Sequence, residues 1–157
     1  MRAVVQRVES ASVEVRGRLV GSCGRGYLIL LGVGARDDEG AARLLWDKVR
    51  HLRIFDDEDG KANRSLLDVG GDLLVVSQFT LYADCRRGRR PSFTGAAEPR
   101  VARTLYELFC ELARRDVEHV GHGVFGADMR VSLVNDGPFT VCLDTDELAP
   151  GLRRTRT

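Results

Sequence analysis

The chain has 157 residues, 43% of them hydrophobic, and its 24 basic residues nearly balance 23 acidic ones. This length is typical of one domain with its own core, and a net charge of +1 neither requires nor excludes a nucleic acid partner. The start, MRAVVQRVES, has no long apolar run, and the sequence nowhere contains the roughly 20 apolar residues of a membrane span. We therefore expect a soluble, cytoplasmic protein without a membrane partner.

The first half of the chain predicts strands and one helix. RAVVQRV and ASVEVRG are typical of strands, with a hairpin at Gly17-Arg18 leading into LVGS. GYLILLGVG is a continuous apolar run bounded by glycines, as in a strand buried on both faces. Helical spacing of apolar residues over 41–52 predicts the first helix, with Asp37 or Asp38 as its N-cap, and a short strand follows at Ile54.

The second half begins with a segment of strong β character, DLLVVSQFTLYA, followed by the loop DCRRGRRPSFTGAA. EPRVARTLYELFCELARR predicts a second helix with Pro99 in its first turn. One apolar stripe on this helix comprises Val101, Leu105, Leu108 and Leu112. VEHVGHGVF, DMRVSLV and PFTVCLD predict the last strands, with Asp136-Gly137 as a hairpin turn and Pro138 as the first residue of the strand after it.

About seven strands and two helices follow from these patterns, and they do not alternate regularly, which disfavours a doubly wound parallel sheet. We predict an α+β fold with mixed, barrel-like β-sheets flanked by two main helices. Residues 1–145 are expected to form a single domain. The segment 146–157 has little apolar content and is predicted to be a flexible basic tail.

No metal or cofactor site is indicated. The four cysteines are scattered and form no C-x-x-C pair, so reduced thiols are expected. His119 and His122 have no carboxylate or thiol that completes a recognisable ligand set, and we interpret them as structural. GVGARD carries Asp37 where a dinucleotide fingerprint needs its third glycine, and a carboxylate would repel a pyrophosphate, so a turn at a strand end is favoured.

Polar side chains interrupt the apolar segment VVSQFTLY at Ser77, Gln78 and Thr80. Burying such groups without partners costs about 1–3 kcal/mol each. They indicate either a strand with one polar face or a site that offers hydroxyl and backbone N–H groups. No G-x-S-x-G elbow surrounds Ser77, so a serine-hydrolase triad is not supported.

The loop that follows is strongly basic. In CRRGRRPSF the cationic side chains are Arg86, Arg87, Arg89 and Arg90. A solvated surface loop is the ordinary interpretation of such a run. The alternative is contact with the phosphates of a nucleic acid, with Phe93 as a ring on which a base could stack.

Five motifs together resemble the D-aminoacyl-tRNA deacylases: MRAVVQRV, SLLDVGGDLLVVSQFTLYAD, RRGRRPSF, FGADM and VSLVNDGP. The resemblance covers nearly all of residues 1–144. It implies an enzyme that hydrolyses the ester between a D-amino acid and the 3′-terminal adenosine of tRNA, and that rejects L-aminoacyl-tRNA. The implied partner is the aminoacylated acceptor end of tRNA rather than DNA, and no cofactor is expected.

The resemblance also implies a homodimer of β-rich subunits with active sites at the interface. The Gly137-Pro138 bond is expected to be cis and to reach into the partner's pocket, where it filters chirality. Arg7 is expected to hold this turn in orientation, and Met129 to line the same site.

The catalytic part of the site is expected to be the segment of Ser77, Gln78, Phe79 and Thr80, with backbone N–H groups near Phe79 and Thr80 as an oxyanion hole. Arg86, Arg87, Arg89, Arg90 and Phe93 are expected to bind the tRNA. Water assisted by the ribose 2′-hydroxyl is the preferred attacking group, and a nucleophilic Thr80 is the alternative. Because glycine has no side chain to reject, glycyl-tRNA is also predicted to be a substrate.

One residue departs from the family pattern, which usually has a small β-branched residue after Gly-Pro where this chain has Phe139. Its ring either packs inward, which changes only the local core, or faces the pocket and narrows substrate choice. Two other functions stay open from the sequence: a non-catalytic RNA-binding module, and a hydrolase of simple esters or peptides that does not need tRNA.

Overall fold

The computed structural model describes residues 1–148, which contain eight strands, three α-helices and one 3-10 helix. In chain order they are β1 (Arg2–Val15), β2 (Arg18–Cys23), β3 (Gly26–Gly32), α1 (Glu39–Arg50), β4 (Phe55–Asp56), β5 (Ala62–Arg64), β6 (Asp72–Ser77), the 3-10 helix (Phe79–Tyr82), α2 (Pro99–Asp116), β7 (Val120–His122), β8 (Arg130–Asp144) and α3 (Thr145–Leu148).

The long strand β1 organises the sheet, because it pairs antiparallel with β3 and β2 along one edge and with β8 along the other. Two separate strands were predicted for this segment. They form one strand because Glu9 is accommodated as a bulge: Val8 pairs with Asn135 and Ser10 with Val134. The predicted hairpin between β1 and β2 is present, but its turn is at Arg16 and Gly17, both with positive φ, and Arg18 already belongs to β2.

The sheet curls into a nearly closed barrel. Its strand order is β2-β1-β3-β6-β7, with β6 parallel to both β3 and β7, and β7 returns alongside β2. Glycines permit this approach, since a Cβ on Gly21 would lie 2.5 Å from the His122 carbonyl oxygen and one on Gly121 would lie 2.4 Å from that of Ser22. The predicted α+β class with a barrel-like mixed sheet and two main helices is confirmed.

The two long helices cover one face of the sheet. Asp38, rather than Asp37, caps α1 by accepting a hydrogen bond from the Ala41 N–H. Trp46 of α1 packs edge-on against Phe109 of α2, with ring centroids 5.6 Å apart. A second, smaller core fills the barrel and consists of Val8, Ala11, Val13, Cys23, Leu28, Leu74 and Val76.

The stripe predicted for α2 is displaced from the one observed. Val101 is 47% exposed, whereas the neighbouring Ala102 is buried with Leu105, Tyr106 and Phe109. Small and aromatic residues, which the leucine spacing overlooked, therefore complete the buried face.

Two predicted elements are wrong. β6 ends at Ser77 instead of continuing to Ala83, and the chain turns into the 3-10 helix. The predicted hairpin at Asp136-Gly137 is also absent, because β8 is one strand that pairs with β1 on both sides of this point. Gln6 pairs with Thr140 and Val8 with Asn135, so residues 136–139 all lie opposite Arg7. We call residues 136–139 the bulged turn.

The C-terminal boundary predicted after residue 145 falls within α3 (Thr145–Leu148), so residues 146–148 are helical. Residues 149–157, the rest of the predicted basic tail, lie outside the described residues. Within residues 1–148, no helix combines the length and apolar character that crossing a lipid bilayer would need.

Candidate active site

A pocket of about 310 Å³ opens where β6 ends. Ser77, Gln78 and Phe79 form one wall, and Met129 lies in the loop that precedes β8. These four predicted site residues are therefore brought together. Tyr106 and Phe125, which sequence reasoning did not select, complete the wall, with ring centroids 5.8 Å apart. In the sequence, Tyr106 has the pattern of an ordinary core residue of α2, and no motif marks it as a residue of the pocket.

The 3-10 helix begins at the edge of this pocket. The Gln78 N–H still belongs to the sheet, because it donates to the Leu31 carbonyl over 2.8 Å. The Phe79 and Thr80 N–H groups are the first two of the helix, and no acceptor for them lies among the described residues. Two adjacent backbone donors are thus left available beside the pocket.

Ser77, Gln78 and Phe79 line the pocket, whereas Thr80 lies next to it without lining it. The Gln78 side-chain amide donates a hydrogen bond to the Thr80 hydroxyl oxygen. This amide carries no basic atom that could take up the Thr80 proton. Within residues 1–148, the Thr80 hydroxyl has no hydrogen bond to a histidine or a carboxylate.

The GVG motif at the end of β3 makes room for the 3-10 helix. A Cβ on Gly32 would lie 2.9 Å from the Gln78 carbonyl oxygen, and one on Gly34 would lie 2.6 Å from the Tyr82 ring. The Tyr82 hydroxyl donates to Asp37 over 3.1 Å, and burial beside this carboxylate raises the pKa of Tyr82. These glycines and Asp37 therefore serve the packing of the helix.

Arg7 fastens the bulged turn. Its buried guanidinium donates to the carbonyl oxygens of Asp136 and Gly137, each over 3.1 Å, and to that of Ile54 over 2.7 Å. The Asp136 carboxylate pairs with the same guanidinium at 2.9 Å. A buried charge with this many partners holds the backbone of the turn in one place.

Two side chains complete the turn. The Asn135 amide donates to the carbonyl oxygens of Arg7 and Phe139, which closes its base. Phe139 packs inward against the main core, and the Arg7 guanidinium lies 4.7 Å from its ring centroid. Of the two alternatives for Phe139, the structure has the inward one. The Gly137-Pro138 bond is cis, and both residues are exposed.

The site residues thus fall into two groups within one subunit. Ser77, Gln78, Phe79 and Met129 line the pocket, whereas Arg7, Gly137 and Pro138 do not. Gly137 and Pro138 form an exposed projection from β8, which the buried Arg7 of β1 holds in place. β8 is an edge strand whose nearby residues Leu133 and Val134 are also exposed.

The basic loop lies beside the pocket. Backbone hydrogen bonds between Asp84 and Ser92 close its base, and Phe93 contacts the pocket residue Phe79 with ring centroids 5.1 Å apart. Arg86 binds the Asp84 carboxylate through two hydrogen bonds of 2.9 and 2.7 Å, which hold the pKa of that carboxyl below its usual range. The charge of Arg86 is therefore compensated in part within the protein.

The other arginines of this loop are Arg87, Arg89 and Arg90. All three are exposed, and no carboxylate of the described residues lies within 4.0 Å of them. In the sequence all four arginines are alike, because the ion pair between Arg86 and Asp84 depends on the loop conformation, which the sequence does not reveal.

Comparison with known proteins decides the family. Residues 4–144 match the family model described as D-Tyr-tRNA(Tyr) deacylase. The chain belongs to the D-Tyr-tRNA(Tyr) deacylase family. This match spans the pocket, the basic loop and the bulged turn. It confirms the resemblance read from the five motifs.

Several D-aminoacyl-tRNA deacylases are similar to the chain over most of its length. A D-aminoacyl-tRNA deacylase of Roseiflexus castenholzii is 61% identical over 145 residues, which cover 92% of each chain. One of Thermus aquaticus is 56% identical over 153 residues, covering 98% of this chain and all of the relative. A solved structure named c-Myc DNA Unwinding Element Binding Protein is 39% identical, with a TM-score of 0.87 over 92% of this chain and 98% of that one.

A solved structure of a probable eukaryotic D-amino acid tRNA deacylase has the same fold. It is 21% identical, with a TM-score of 0.78 over 90% of this chain and 97% of that one. At this identity the likeness concerns the fold alone, and it agrees with the barrel-like sheet described above.

Proposed function

We propose that the protein hydrolyses the ester bond of D-aminoacyl-tRNA and releases free tRNA and the D-amino acid. The observation that carries this proposal is the family match over residues 4–144, which includes the pocket at the end of β6. The relatives from Roseiflexus castenholzii and Thermus aquaticus bear the name of this activity.

A paired assay tests the function. Release of amino acid from D-tyrosyl-tRNA and L-tyrosyl-tRNA is compared under the same conditions, with spontaneous hydrolysis subtracted. We expect rapid release of the D form only. Equal rates would contradict the chirality filter, and no release from either would contradict the activity. Activity on simple D-tyrosine esters, independent of tRNA, would instead favour a general esterase.

In the proposed reaction, the Phe79 and Thr80 N–H groups stabilise the oxyanion that forms when the ester carbonyl is attacked. Preorganised donors of this kind contribute about 3–4 kcal/mol each in other hydrolases. Water assisted by the ribose 2′-hydroxyl is the attacking group. Thr80 lacks the adjacent base that a hydroxyl nucleophile needs, and its bond to Gln78 supports a role in orientation.

Thr80→Ala separates these two mechanisms. If Thr80 orients the site, the variant keeps part of its activity, and no acyl-enzyme accumulates when the wild type is quenched during turnover. Complete loss of activity with tRNA binding intact, together with a trapped ester on Thr80, would establish the nucleophile instead. Intact protein mass spectrometry detects such an adduct.

We further propose a homodimer in which the bulged turn of one subunit enters the pocket of the other. Support comes from the separation of the two groups of site residues and from the exposed Gly137-Pro138 on an edge strand. Analytical ultracentrifugation measures the assembly.

Mixing two inactive variants tests whether the site is shared. Gln78→Ala damages the pocket, and Gly137→Val damages the turn. In a mixed dimer, one of the two sites has both parts intact, so random exchange of subunits restores about a quarter of wild-type activity. No recovery after confirmed exchange would place the turn and the pocket in the same subunit.

The chirality filter follows from the backbone of the turn. An enzyme that accepts many D-side chains cannot grip the side chain, so it has to reject the L form by a clash at the α-carbon. We propose that Gly137 of the partner subunit occupies the place of the L-side chain. Each tenfold of discrimination between the D and L substrates needs about 1.4 kcal/mol, so a rigid backbone clash can supply several factors of ten. Glycyl-tRNA then escapes rejection, and its hydrolysis in the paired assay tests this corollary.

Arg87, Arg89 and Arg90 are proposed to bind phosphates of the acceptor end. Replacing Arg89 and Arg90 with glutamine should weaken all tRNAs alike, and the slope of log K against log[salt] should fall by about 0.7 for each lost phosphate contact. Arg86→Gln is the matched control in the same loop. Because Arg86 is already paired with Asp84, its replacement should change the slope less. Equal slopes for all variants and the wild type would exclude the loop from tRNA binding.

A further inference from the structure

The 3-10 helix depends on contacts from outside itself. It has only four residues, Phe79–Tyr82, and none of them is buried. Short 3-10 segments have poor hydrogen-bond geometry and little stability of their own. The direction of its first two N–H groups is therefore set by whatever holds the rest of the helix.

Arg2 contacts this helix through both a backbone carbonyl and an aromatic ring. Its guanidinium donates to the Leu81 carbonyl over 3.0 Å and lies 4.5 Å from the centroid of the Tyr82 ring. The Nε of the same side chain donates to the Asp144 carboxylate over 2.8 Å. A cation at the C-terminal end of a helix also interacts favourably with its unpaired carbonyl groups.

Asp144 anchors this contact in the sheet. It is the last residue of β8 and pairs with Arg2 itself across the β1–β8 ladder. Its side chain is 18% exposed, and it also accepts a hydrogen bond from the Asp146 N–H. The guanidinium therefore bridges a fixed carboxylate at the sheet edge to the end of the 3-10 helix, which suits a planar group with several donors in fixed directions.

We propose that Arg2 is a positioning residue for deacylation: by holding Leu81 and Tyr82 against Asp144, it aims the Phe79 and Thr80 N–H groups into the pocket. This inference rests on the proposed function of the pocket. Arg2 does not line the pocket, and it acts through the helix.

The test compares Arg2→Ala with a matched ion pair elsewhere in the chain. Arg50 bonds Asp116 over 3.1 Å and joins α1 to α2 away from the pocket, and its side chain is 31% exposed against 43% for Arg2. We expect Arg2→Ala to lower kcat by roughly ten- to a hundredfold with KM nearly unchanged. Arg50→Ala should lower Tm by a similar amount to Arg2→Ala and leave kcat unchanged.

Two additional measurements distinguish positioning from general stabilisation. Arg2→Lys keeps the positive charge but loses the planar array of N–H donors, so its kcat should fall between those of the wild type and Arg2→Ala. Guanidinium ion, below its unfolding range, should partly restore kcat of Arg2→Ala, whereas sodium chloride at equal ionic strength should not. If Arg2→Ala fails to fold, Asp144→Asn removes the anchor charge and is expected to lower kcat in the same direction.

The outcomes separate the two proposals. An active wild type whose Arg2→Ala variant matches Arg50→Ala in kcat, or changes KM alone, overturns the positioning role and leaves the deacylase function intact. A wild type that releases no amino acid from D-tyrosyl-tRNA overturns the proposed function and this inference with it.

Discussion

Replacing Gly137 with alanine adds one methyl group at a place where the subunit itself has room for it. Among the described residues other than its two chain neighbours, the nearest heavy atom to the added Cβ is the Asn135 side-chain oxygen at 3.9 Å, an ordinary van der Waals distance. Gly137 is also absent from the glycines with positive φ, which an alanine would strain. The free energy of unfolding should therefore change by no more than about 0.5 kcal/mol.

Activity should respond very differently. If Gly137 of the partner subunit lies against the α-carbon of the substrate, the methyl group displaces the reacting ester. A displacement of about 1 Å commonly costs on the order of a hundredfold in rate. We therefore expect kcat/KM for D-tyrosyl-tRNA to fall at least about a hundredfold while the urea unfolding curve stays the same.

Gly40→Ala is the control, because it adds the same methyl group on α1, where the nearest atom is the Asp38 side-chain oxygen at 3.2 Å. Deacylation by this variant should equal that of the wild type. Full activity of Gly137→Ala would refute the placement of Gly137 against the substrate. A large loss of stability would instead refute the reasoning about space within the subunit.

Three further predictions concern the fold and its reactivity. Arg7→Met should lower the free energy of unfolding by about 2–3 kcal/mol, since it removes charge-assisted hydrogen bonds to three carbonyl oxygens, and urea denaturation measures this. Gly26→Ala should cost about 3 kcal/mol or prevent folding, because its Cβ would lie 1.8 Å from the Asp72 carbonyl oxygen in the paired strand; a normal thermal melt would contradict this. Burial raises the pKa of the Cys110 thiol to about 11, so at pH 8 iodoacetamide should modify the exposed Cys85 in the folded protein and reach Cys110 only after unfolding, as mass spectrometry can show.

Local sequence patterns correctly predicted those elements whose conformation is not altered by long-range pairing. The apolar run that ends at Gly32 became the central strand β3, and Asp38, one of the two N-cap candidates, caps α1. Ser77, Gln78, Phe79 and Met129 were named through motifs, and the structure gathers them around one pocket.

Long-range pairing decided what local patterns could not. Asp136-Gly137 has the composition of a hairpin turn, but β1 supplies pairing partners on both sides of it, so the strand continues and the extra residues bulge outward. Phe79, Thr80 and Tyr82 have β propensity, yet they follow a strand that ends at the sheet edge. They form a 3-10 helix instead, which contacts Arg2 and approaches two glycines distant in sequence.

The bulged turn is confined by registers on both sides, unlike the open Arg16–Gly17 hairpin. If one residue were inserted into the bulged turn, the turn would have to absorb it. Otherwise residues 140–144 would shift by one position along β1. A slip by one residue would face Val141 and Leu143 away from the core and bring polar Thr140 toward it. The length of this turn is therefore coupled to the integrity of the sheet, and we expect variation in length to be tolerated at the Arg16–Gly17 hairpin well before it is tolerated here.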